Sequence, residues 1–88
     1  MKLGLIKGNV VATTKDPGLV GKKLLIVQPT DADFNDRGEL IVAIDTVGAG
    51  FGDRVLYTTG SSARTMLEDR HAPVDASVVA IIDTVEVY

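Results

Sequence analysis

At least four of the five strand-like segments in this 88-residue chain are apolar on both faces, and that feature limits its possible folds more than any other. In Leu3–Thr14, Leu3, Leu5 and Val11 lie on one face and Ile6, Val10 and Ala12 on the other. Leu24–Val27 is apolar throughout. In Glu39–Val47, Leu40, Val42 and Ile44 alternate with Ile41, Ala43 and Val47, and Arg54–Thr59 sets Val55 and Tyr57 against Leu56. Val78–Tyr88 is dense in Val and Ile, interrupted by Asp83 and Glu86. Successive strand side chains point to opposite faces, so a single sheet interior can bury only one of the two sets. The only helical pattern is short: Gly60–Glu68, with Ser61 or Ser62 as cap and Ala63, Met66 and Leu67 at i, i+3, i+4 spacing. The expected fold is mainly all-β, a five-stranded OB-like barrel with one short helix between the fourth and fifth strands. Closure removes the sheet edges. With no helical layer outside, the second apolar faces call for neighbouring subunits, and a symmetric homo-oligomer is the economical solution.

Composition supports this reading. A chain of this length forms a single domain, 1–88, and buries only about 60–65% of its unfolded surface. It has no cysteine to supply disulfides or thiolate ligands, yet 45% of it is hydrophobic. A net charge of −3 and an isoelectric point near 4.9 argue against a polyanionic partner. No signal sequence and no membrane-length apolar run is visible, so the cytoplasm is the expected compartment.

The densest local signal is Asp45-Thr46-Val47-Gly48-Ala49-Gly50-Phe51-Gly52-Asp53-Arg54, three glycines within five residues between two strands. Such glycines serve positive φ or close backbone approach. A phosphate loop is disfavoured, because the spacing is neither G-x-G-x-x-G nor G-x-x-x-x-G-K-[ST] and a strand follows. An internal turn and a docking surface both remain open. Gly4 and Gly8 mark a bend or bulge in the first strand. Lys15-Asp16-Pro17-Gly18 predicts a type II turn with Gly18 at positive φ, and Lys22-Lys23 read as solvated strand-end charges. The loop Gln28–Gly38 holds Asp31, Asp33, Asn35 and Asp36 but fails as a calcium loop: Asp36 stands where glycine is needed and Val42 where glutamate is needed. His71, the only histidine, is read as a loop residue. No metal site and no cofactor is expected.

The order and spacing of these segments resemble the EutN/CcmL family of bacterial microcompartment vertex proteins. The likeness is carried by Gly8-Asn9-Val10-Val11-Ala12-Thr13, Leu19-Val20-Gly21-Lys22-Lys23-Leu24-Leu25, and the run from Val42 to Asp53. It continues through Gly60-Ser61-Ser62-Ala63-Arg64, Pro73-Val74-Asp75-Ala76 and Val79-Ala80-Ile81-Ile82-Asp83. Asp53 stands where the family pattern leads one to expect Glu; it keeps the charge and shortens the reach. The resemblance implies a pentamer at the corners of a polyhedral shell, partnered by itself and by hexameric shell proteins, without chemistry. Its location would be the microcompartment shell in the cytoplasm. Gly48, Ala49, Gly50, Phe51, Gly52 and Asp53 would form the shell-docking edge. Gly60, Ser61, Ser62, Ala63 and Arg64 read either as a capped helix start with no special role or as a segment near the five-fold axis, where Arg64 and the helix N-termini would favour anions.

The alternative is an OB-type module binding single-stranded nucleic acid or another ligand. It would need a basic groove and stacking aromatics, but the four aromatics (Phe34, Phe51, Tyr57, Tyr88) fall in different segments of an acidic chain. Neither nucleic acid nor a membrane is therefore an expected partner. An enzyme is disfavoured as well, since Ser61 and Ser62 lie in no nucleophile motif. Asp45 and Asp83 are candidates to pair with Arg54 or Arg64.

Overall fold

The computed structural model describes residues 1–65 and 67–88. Five strands, β1 (Lys2–Val10), β2 (Leu24–Thr30), β3 (Ile41–Asp45), β4 (Arg54–Thr59) and β5 (Ala76–Ile81), close into a barrel in the order β1-β2-β3-β5-β4. Every pairing is antiparallel except the short parallel contact of β3 with β5. Alternation sends Ile6, Leu25, Val27, Ala43, Val55, Tyr57 and Val78 inward, and all are buried. Full burial of a side chain such as Ile6 or Leu25 contributes roughly 1.5–3 kcal/mol.

Gly4 is glycine for lack of room. A Cβ there would sit 2.5 Å from Val27 Cγ1 and 3.2 Å from Tyr57 Cε1. The expected bulge is present, between Ile6 and Gly8 in the β1–β2 register.

The outer faces are not wholly bare. Ile44 points out of the barrel and is buried by Ala63, Ala72 and Val74, with Leu19, Leu24 and Leu67 packed around them. Residues 63, 67, 72 and 74 of the connection between β4 and β5 thus do part of the work assigned above to neighbouring subunits. Elsewhere the second faces stay open: Val42 is 49% exposed and Ile81 42%.

Several boundaries differ from expectation for identifiable reasons. β1 stops at Val10 rather than Thr14, and β5 at Ile81 rather than Tyr88. β2 continues through Gln28-Pro29-Thr30, where a loop was expected. Gln28 Nε2 bridges to the Pro29 and Gly38 carbonyls (3.0 and 3.1 Å), and the Arg37 amide donates to Pro29 O. The expected helix is a five-residue 3₁₀ turn, Gly60–Arg64, entered through Gly60 at φ 70°. No side chain caps it; Ser62 Oγ instead donates back to the Thr59 carbonyl at 2.8 Å. Met66, which contributed to the helical spacing, lies outside the described residues. Pro17–Leu19 is also a 3₁₀ turn, with the Gly18 amide donating to Asp16 Oδ1 at 2.8 Å. Gly18 is not at positive φ. Its missing Cβ lets the turn lie against Ala72 and Pro73, which such an atom would meet at 3.2 and 3.1 Å.

Candidate assembly surfaces

The segment between β3 and β4 is held at nearly every residue. Where β3 ends, Asp45 Oδ1 accepts the amides of Val47 and Gly48 at 3.0 and 3.1 Å. Gly48 then turns the chain at φ 82° and drops Ala49 into the barrel core, fully buried. The Ala49 carbonyl accepts Lys23 Nζ at 2.6 Å. Asp53 closes the far side: its Oδ2 accepts the Gly50 amide at 2.8 Å and its own amide donates to Gly50 O at 3.0 Å. Gly52, at φ 85°, donates to Ile6 O, and Ile6 donates back to Asp53 O, both at 2.9 Å.

The outcome is a rigid loop with one side chain thrust outward, Phe51, 81% exposed. Positive φ accounts for Gly48 and Gly52. Gly50 is not in that region, and a Cβ there would touch nothing within 4 Å. Nothing inside the described chain requires a glycine at this position.

The second candidate segment presents Gly60, Ser61 and Ser62 to solvent and tucks Ala63 under the chain. The Ala63 carbonyl accepts the buried Ser77 hydroxyl. Arg64 is committed inward: Nε donates to Arg70 O at 3.1 Å and Nη1 to Val74 O at 2.8 Å, stapling residues 70–74 to the 3₁₀ turn. The guanidinium is a structural clamp here, and a five-residue 3₁₀ turn carries little of a helix dipole. Arg64 keeps its charge but turns two of its N–H groups to carbonyls of its own chain, and no α-helix N-terminus is present in this segment.

The carboxylate pairings expected from sequence are not those observed. Asp45 serves the glycine loop, while Arg54 stacks over the Phe34 ring with Cζ 4.6 Å from its centroid. Asp31 organises the loop after β2 by accepting the amides of Asn35 and Asp33, Asn35 Nδ2, and Arg37 Nη2 at 3.3 Å. These bonds, the Asn35 amide foremost, hold its carboxyl below its ordinary value of 3.8 despite some opposing desolvation. Phe34 sits at φ 61° in this loop, an uncommon conformation for an aromatic residue. The aromatics build no stacking platform: Tyr57 is core, its hydroxyl pKa raised by burial, and Phe34 lies under Arg54. The nucleic-acid alternative is thus not favoured. No helix among the described residues is long and apolar enough to cross a membrane.

Comparison with known proteins agrees over the whole chain. Residues 1–83 match the family described as "Ethanolamine utilisation protein EutN/carboxysome". The chain is 49% identical over 88 residues to the carboxysome shell vertex protein CcmL of a Nostoc species, covering 99% of this chain and 87% of that one. It is 45% identical over 85 residues to the bacterial microcompartment shell vertex protein EutN of Salmonella typhimurium, covering 97% and 86%. Among solved structures it superposes on the GrpN pentameric microcompartment shell protein from Rhodospirillum rubrum. That match has a TM-score of 0.89 at 44% identity and covers 100% of this chain and 99% of the other.

Proposed function

The chain belongs to the EutN/CcmL family of bacterial microcompartment shell vertex proteins, and from that premise we propose that five copies close into a ring capping the corners of a polyhedral shell. Its role is structural, and its place is the microcompartment shell. A sheet of hexagonal tiles stays flat or rolls up; pentagons supply the closure. The hexameric shell proteins forming those tiles are the partners we assign to the ring's rim.

The rim contact is Gly48–Asp53. The observation that carries this assignment is the pairing of an exposed Phe51 with a loop held at most of its other residues. A rigid loop loses little conformational freedom on docking, so most of the gain from covering the ring is kept. Burial of one Phe is worth roughly 1.5–3 kcal/mol, and five copies act together at each corner. The open side of Gly50 leaves room for a neighbouring backbone. The solvent-facing tip Gly60-Ser61-Ser62 we assign to the five-fold axis, where hydroxyl and amide groups, rather than Arg64, would line any opening.

The test is co-expression of Phe51→Asp or Gly50→Val with the matching hexameric shell protein, followed by imaging of the particles. Soluble pentamers that leave shells uncapped are the expected result. Closed polyhedra at normal yield, with the variant incorporated, would show that the docking edge lies elsewhere.

A further inference from the structure

Two segments of this chain expose apolar side chains beside charged groups that form no ion pair among the described residues. The connection from β1 to β2 exposes Val11 (84%) and part of Val10, and Lys15, Lys22 and Lys23 surround them in a shallow cleft. Lys15 Nζ donates to Ala12 O and Lys23 Nζ to Ala49 O, both backbone carbonyls. The one ion pair among the described residues is Arg37–Asp31, elsewhere. The only acid in this connection, Asp16, is occupied by the Gly18 amide.

The chain after β5 is the opposite. Asp83-Thr84-Val85-Glu86-Val87-Tyr88 has two carboxylates, no cation, and strand-like alternation of high β-propensity. It nonetheless pairs with no strand and makes no backbone hydrogen bond to another segment among the described residues. Val85 lines an open groove together with Leu3, Leu56 and Ala80, and the Ile82 amide, which donates to Arg54 O at 2.7 Å, is the last backbone tie to the barrel before the segment. Val87 and Tyr88 remain exposed beyond it.

Topology places the two surfaces suitably. β1 and β5 are each antiparallel to β4, so both run the same way and the two segments leave from the same end of the barrel. They leave on different flanks, because β5 neighbours only β3 and β4. A five-fold ring is heterologous: each copy offers two different, complementary surfaces, related by pure rotation and therefore at one level. Barrels standing along the ring axis meet that condition. We propose that the acidic segment 83–88 of one copy seats on the lysine-rimmed β1–β2 connection of the next. Val87 would lie against Val10 and Val11, and Asp83 and Glu86 would face Lys15 and Lys22. The proposal rests on the pentameric reading and adds the surfaces that join its subunits.

The absence of cysteine makes a clean test possible. Val11→Cys and Val87→Cys are introduced together into the full chain, each single variant serving as a control. Native mass is read by light scattering, and mildly oxidised samples are run on a non-reducing denaturing gel. A pentamer whose oxidised chains form a ladder up to five, only with both cysteines present, is expected. A pentamer that runs as monomers, or as internally linked monomers, overturns this interface and leaves the ring intact. A monomeric wild-type protein overturns the ring and this interface together. In a second arm, Lys22→Glu should raise the concentration for half-dissociation roughly tenfold, and adding Glu86→Lys should restore it. Lack of restoration contradicts the charge pairing.

Discussion

Gly52, at φ 85°, and Gly50, outside the positive-φ region and with nothing within 4 Å of where a Cβ would stand, separate the two uses of glycine in one loop. Gly52→Ala forces a Cβ into the left-handed region and should cost about 1–2 kcal/mol, read as a lower denaturant midpoint. Gly50→Val meets no atom in the chain and should leave the melting temperature near normal, as should Phe51→Asp. A large loss at either would mean the loop is held by contacts other than those described. On β1, two residues from the Ile6 that holds this loop, Gly4→Ala pushes against Val27 and the Gln28 carbonyl and should cost about 1–3 kcal/mol by overpacking. The glycine density that singles out this loop in the sequence matches positive φ at Gly48 and Gly52. It could not separate glycines needed for φ from one that leaves a side open, because that difference lies in backbone dihedrals.

Among the elements, the 31–37 loop makes the clearest prediction about pH. The folded carboxyl of Asp31 has a lowered pKa, so its contribution is present above the unfolded value of 3.8 and lost as pH falls below it through the folded one. Amide exchange at Asn35 should accelerate across that window, and Asp31→Asn should abolish the dependence; an unchanged profile in the variant would contradict the role. The bounds of β4 were legible to the residue, because Val55, Leu56 and Tyr57 are framed by Asp53-Arg54 on one side and Gly60 on the other. The end of β5 was not. Thr84 to Tyr88 has strand propensity, but the barrel already closes through β4 and β3 and offers no free edge. The 3₁₀ turn was read as a helix since Ser61 and Ala63 fit caps and spacing. Ser62 binding the Thr59 carbonyl and Ser77 binding the Ala63 carbonyl use up groups a helix would need.

For the whole molecule, two-faced apolar strands pointed to both the barrel and the need for neighbours, and the structure divides that need. Ala63, Ala72 and Val74 cover Ile44 from within the chain, whereas Val42, Ile81, Val11 and Phe51 stay exposed. The covering patch was hard to foresee, as Ala72-Pro73-Val74 shows no periodicity and binds through its approach to Gly18. These exposed apolar side chains are the surfaces that the proposed assembly would cover. Light scattering coupled to size exclusion tests this most directly. The account predicts a mass of five 9.3 kDa chains, persisting on dilution to low micromolar concentration; a single-chain mass independent of concentration would contradict it.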